Sequence, residues 1–144
     1  MDDQFNLVRF VIAQDTGGTF ERAVAELARG RKVSHWMWFV FPQIAGLGRS
    51  ATAMTYAISS LAEARAYLRH EILGPRLLQC SSVVASLSGM TAEEIFGSID
   101  AAKLRSSMTL FSRADPDQPI FRRVMDLYFD GAADEMTLKR LGRR

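Results

Sequence analysis

Apolar residues recur along this chain at the three-and-four spacing of an α-helix, and the segments they define carry their own start and stop signals. Alternating apolar and polar residues bounded by two-residue turns, the mark of hairpin sheets, are not found. The spacing predicts an all-α fold, a compact single-domain bundle of about seven to nine short helices spanning residues 1–144. Phe5, Val8 and Ile12 at helical steps, with acidic residues ahead of them, predict a first helix over 3–14, ended by Gly17 and Gly18. Thr19 is placed to cap a second helix through Phe20, Val24 and Leu27 to Gly30. Ser34 to Pro42 reads as a short helix capped by Ser34, although its aromatic and β-branched content also suits a buried strand. Ser60 with Glu63, and Thr91 with Glu94, have the spacing of capping boxes. Pro75 fits the first turn of a long helix to Gly89, with Leu77, Ser81, Val84 and Ser88 along one side. Asp100 is the expected cap of a segment through Phe111. Phe121, Val124, Met125 and Tyr128 define a helix up to Gly131, and 134–141 a last one before a frayed basic tail over 140–144.

Composition limits what such a bundle can do. At 144 residues and 48% hydrophobic the chain can fill one core without staples. Lys and Arg number 18 against 16 Asp and Glu, a formal charge of +2, so no strong field draws in nucleic acid, and it is not an expected partner. Cys80 is the single cysteine, which excludes an internal disulfide framework. Its place beside Leu77 and Val84 predicts a buried, inert thiol. The acidic opening MDDQFNLVRF lacks the pattern of a secretory signal, so the expected location is cytoplasmic. The aromatic-rich apolar run from Trp36 to Phe41 is far short of the ~20 residues of a membrane span, and no membrane partner is expected. His35 and His70 are the two histidines, and neither stands at metal-ligand spacing from cysteines or carboxylates; Asp115 with Asp117 lacks the rest of a calcium loop. No metal and no cofactor is expected.

The residues with chemistry to offer fall in two places. Ser34, His35, Trp36, Trp38, Gln43 and Arg49 lie within one short stretch, where an imidazole and flat indole faces could meet a base or sugar ring. The same aromatics would serve equally as ordinary core. Gly46, Gly48, Arg49 and Ser50 form a glycine-rich turn feeding a helix start, a geometry that can receive an anion, although nucleotide-binding spacings are absent. The second place is the helix holding Lys103 and Ser107. On a helical wheel both fall within the arc of Leu104, Met108, Leu110 and Phe111. There a lysine needs a partner or a path to water, and one turn apart it could activate the serine, unless it snorkels and the serine bonds its own helix.

Lys32-Val33-Ser34-His35-Trp36-Met37-Trp38-Phe39-Val40-Phe41-Pro42-Gln43 followed by Gly46-Leu47-Gly48, with Glu63 to Leu68, Leu73 to Leu77 and Lys103 to Phe111 in order, resembles the bacterial domain-of-unknown-function eighteen-ten family. The resemblance spans nearly the whole chain and implies a compact, mostly helical fold, with no reaction and no catalytic residues to carry over. Members are sometimes labelled calpastatin, but this chain has no long polar segment that would fold upon a protease. The leading expectation is binding, with hydrolysis as its extension, of a small anionic or nucleotide-like metabolite such as an ADP-ribose-like compound. Trp36 or Trp38 would stack on a ring, Arg49 and Lys103 would hold negative charge, and His35 would orient or exchange a proton. The alternative is a non-enzymatic protein–protein interaction module with an unknown protein partner. Convergence of His35, Gln43, Arg49 and Lys103 on one cavity would separate the two.

Overall fold

Asp3 organises the start of the structure, a computed structural model that describes residues 3–142. Its carboxylate accepts the backbone N–H groups of Leu7 (2.7 Å) and Val8 (3.0 Å), and Asn6 turns the chain in the left-handed region at φ 55°. Helix α1 (Val8–Asp15) therefore begins later than its apolar spacing predicts. It also buries another face: Leu7, Phe10 and Gln14 point inward, while Val8 and Ile12 are 46% and 59% exposed. A 3-10 turn (Thr16–Gly18) leads into α2 (Thr19–Ala28). Thr19 is not the cap expected of it, because its hydroxyl donates back to the carbonyl of Thr16. Phe20, Ala23 and Leu27 form the buried stripe of α2, and Glu26 is buried among them.

The aromatic segment yields only the four-residue α3 (Met37–Val40), with no side-chain cap; Ser34 is engaged elsewhere. The short α4 (Ala51–Thr55) starts at Ser50, whose hydroxyl accepts from Ala53 N–H. Among the described residues extended pairing is confined to a parallel bridge between Ile44 and Ile58. Helix α5 (Leu61–Arg69) has half of its expected capping box: Ser60 accepts from Glu63 N–H, but the Glu63 side chain accepts from Ser59 and Arg9. Helix α6 (Leu73–Ser86) has Pro75 in its first turn and ends before Ser88, which is exposed. Gly74 is required there, because a Cβ would lie 2.1 Å from the Leu68 carbonyl oxygen. Thr91 and Glu94 make the full reciprocal box of α7 (Ala92–Phe96). Helix α8 (Ser98–Ala114) starts after Gly97, so Asp100 lies in its first turn and is not its cap. Helices α9 (Ile120–Phe129) and α10 (Glu135–Leu141) follow, the latter capped by Asp134. Of the expected basic tail, 143–144 lie outside the described residues.

The all-α expectation holds, and the central element of the structure is α8, which packs on α5, α7, α9 and α10. Its apolar positions close one core with the aromatic chain Phe10, Tyr67, Phe111 and Phe121, whose ring centroids are 5.1, 5.4 and 5.8 Å apart in sequence. Trp36, Phe41 and Phe96 extend it at the other end. Cys80 is fully buried on α6, and burial pushes its thiol up to about 12 against the smaller opposing pull of Arg76. No described helix is long and apolar enough to cross a membrane.

Candidate functional site

Spacing on α2 places Glu26 beside Ala23 and Leu27, and the fold then brings the 33–36 loop across it. The carboxylate accepts four hydrogen bonds: from Val33 N–H (2.8 Å), Ser34 N–H (3.0 Å), Ser34 Oγ (2.6 Å) and Trp36 Nε1 (2.9 Å). Burial alone would raise its pKa, but these donors outweigh it and hold the group at about 2, so Glu26 is an anion at neutral pH. Two residues singled out by the sequence, Ser34 and Trp36, are thereby fixed. Trp36 is fully buried and offers no face to a ligand.

Lys32 continues the arrangement outward. Its backbone N–H donates to Ile95, its ammonium donates to the Ser34 carbonyl and lies 4.9 Å from the Trp36 ring centroid, and it pairs with Asp100 at 2.8 Å. Asp100 also pairs, at 3.2 Å, with Lys103, which lies over the Trp38 ring at 4.1 Å from its centroid. Burial opposes ionisation of Asp100, yet the two ammonium groups hold its carboxyl below the usual range. Two lysines thus share one carboxylate between two indoles. The innermost, Lys32, is nearly covered, whereas the Asp100 and Lys103 side chains are each 20% exposed. Segments that are distant in sequence, 32–38 and the start of α8, meet here.

The remaining expected residues do not converge with Lys103 on either cavity described below, so a pocket built jointly from His35, Gln43, Arg49 and Lys103 is not supported. His35 is exposed. Gln43 is half-buried, its backbone carbonyl accepting from Ile58 N–H. Arg49 is exposed beside the cap of α4, and Gly46, at φ 97°, gives its carbonyl to Arg140 instead of an anion. Ser107 is fully buried, and its hydroxyl has no hydrogen-bond partner, so Lys103 and Ser107 do not form a nucleophile–base pair. Two surface cavities, of about 640 Å³ (Asp3, Phe5, His70 and neighbours) and about 420 Å³ (Ile44, Ser59, Arg140 and neighbours), are lined by none of the eight residues that the sequence singled out. Among the described residues no group of three or more His, Cys, Asp or Glu is placed to hold a metal ion.

Sequence reasoning passed over Glu26, Lys32 and Asp100. Glu26 could have been found, since it shares the helical stripe of Ala23 and Leu27, and Asp100 stands three residues before Lys103 on one helix face. The pairing of Lys32 with Asp100 has no local signal.

A family model described as Protein of unknown function (DUF1810) matches residues 4–141. The crystal structure of the conserved hypothetical protein Rv1873 from Mycobacterium tuberculosis is similar to this chain at 49% identity and a TM-score of 0.94, covering 97% of this chain and 99% of that one. No curated protein matches it. With a family model over nearly its whole length and a relative so similar in sequence and fold, the chain belongs to the DUF1810 family of proteins of unknown function.

Proposed function

We propose that the protein binds a small anionic, ring-bearing metabolite at the junction of Trp38, Lys103 and Asp100, with His35 on the same segment. The observation that supports this reading is the sharing of one carboxylate by two ammonium groups beside a half-buried indole. Of these three charges one positive charge is left over, and a phosphate or carboxylate approaching Lys103 would balance it. The indole edge offers an apolar contact to a base or sugar ring. Nucleotides, sugar phosphates and ADP-ribose-like compounds have both features. The reading is one of binding, with hydrolysis as its extension; neither Ser107, whose buried hydroxyl is unpartnered, nor Cys80, whose buried thiol has a raised pKa, is placed to act as a nucleophile in it. A buried free thiol is compatible with a reducing, cytoplasmic setting.

Thermal-shift measurements with these compounds test the proposal, using wild type, Lys103→Ala and His35→Ala. A compound that binds the folded state raises the melting temperature, and Lys103→Ala, still folded by circular dichroism, abolishes the shift. No shift in the wild type at saturating concentrations would reject metabolite binding at this junction. The protein-interaction reading draws on a separate observation: Val33 and Ile99, neighbours in sequence of Lys32 and Asp100, are 64% and 74% exposed. A partner that uses this apolar pair would lose affinity on Val33→Ser, whereas metabolite binding would not change.

A further inference from the structure

A second part of the surface, away from the lysine junction, is shaped by two sharp backbone features. Asn6 in the left-handed conformation folds residues 3–5 back toward the end of α5, and the close approach of Gly74 to Leu68 bends the chain tightly from α5 into α6. Between them lies the cavity of about 640 Å³, a size within the usual range of ligand sites. Phe5, Leu7 and Ala66 give it an apolar wall. Its rim carries both signs of charge, with Asp3 and Glu71 negative and Arg69 positive. His70 adds a donor: its Nδ1 accepts the N–H groups of Ile72 (3.1 Å) and Leu73 (3.3 Å), which leaves the ring proton on Nε2. Arg69 and Glu71 are exposed and make no ion pair among the described residues.

We infer that this cavity binds an amphipathic zwitterion, an α-amino acid or short peptide with an apolar side chain. The rim charges sum to −1, which opposes a simple anion, while a simple cation would leave Arg69 without a partner. A molecule bearing both charges satisfies each, its carboxylate meeting Arg69 and the His70 Nε2–H and its ammonium meeting Asp3 and Glu71. Its apolar side chain covers Phe5, Leu7 and Ala66. Asp3 is ready for this role, since hydrogen bonds from Val8 and Leu7 hold its carboxyl below the usual carboxylate range.

Backbone amide NMR titrations of the full chain with L-leucine, leucyl-leucine, N-acetyl-L-leucine and L-leucinamide test the inference. The expected result is saturable movement of signals from residues 4–7 and 66–73 with leucine or the dipeptide. Each singly blocked leucine binds about two- to fivefold more weakly, the loss of one exposed charge contact. Leucine against leucyl-leucine distinguishes a free amino acid from a peptide as the better occupant. Arg69→Ala, at an exposed position that the fold tolerates, weakens leucine but leaves leucinamide unchanged, a split that a merely structural role would not give. Absence of saturable shifts at millimolar ligand, or equal binding of leucine and both blocked forms, overturns the inference. The lysine-junction reading is untouched by that result, because none of its residues lines this cavity.

Discussion

A carboxylate taken out of water is costly unless donors replace the lost water, and at Glu26 four of them do. Glu26→Gln sets an amide N–H₂ against donors that need an acceptor, so it is expected to destabilise the fold by roughly 2–4 kcal/mol in urea titrations near neutral pH. The sign of its pH dependence follows from a pKa lowered from 4.5 to about 2 on folding. The stabilisation from ionised Glu26 is fully present above 4.5 and is lost as pH falls toward 2, so the gap between wild type and variant narrows over that interval. Unfolding curves at several pH values check it, and a constant gap would contradict it. Glu26 also shows why a polar site escapes a search for apolar stripes: the stripe is intact but one of its members is charged. Lys103 was legible as an inward lysine in need of a partner, and Asp100 supplies one.

Some helix starts were readable from their own residues: Thr91 with Glu94 forms the reciprocal bonds its spacing implies and Ser60 with Glu63 half of them, whereas Thr19, Ser34 and Asp100 do not cap the helices expected of them. Helix α1 was legible as a helix but not in its facing, because its inner stripe ends in a polar residue. The Gln14 amide donates to the Phe39 carbonyl (2.7 Å) and Tyr67 hydroxyl (3.2 Å), and its oxygen accepts from Arg76 (3.1 Å). These partners come from α3, α5 and α6, so nothing adjacent in sequence announces them. Two substitutions separate local from tertiary control of elements. Thr91→Ala removes one cap and is expected to cost about 1 kcal/mol. Gly74→Ala, with its Cβ forced toward the Leu68 carbonyl, is expected to cost more, about 2 kcal/mol or above, by displacing the whole start of α6. Thermal and urea denaturation of the two variants give the comparison.

Across the whole molecule the order of helices and the membership of one core could be read from periodicity, whereas the meeting of 32–38 with α8 could not. It depends on Lys32, an ordinary surface lysine by its sequence context, being drawn beneath Trp36 to reach Asp100. Phe111 ties the other side together, its ring 5.4 Å from Tyr67 and 5.8 Å from Phe121 and so joining α5, α8 and α9. Phe111→Ala is therefore expected to cost roughly 3–5 kcal/mol, as for other large cavities left in a packed core, and calorimetry of the variant measures it. The sealed thiol of Cys80 gives this chain a built-in clock. With no exposed surface and a raised pKa, it can meet an alkylating reagent only when the packing around α6 opens. The rate at which a thiol reagent modifies unlabelled wild type would thus time the breathing of the core, and a bound ligand that steadies the fold would slow it.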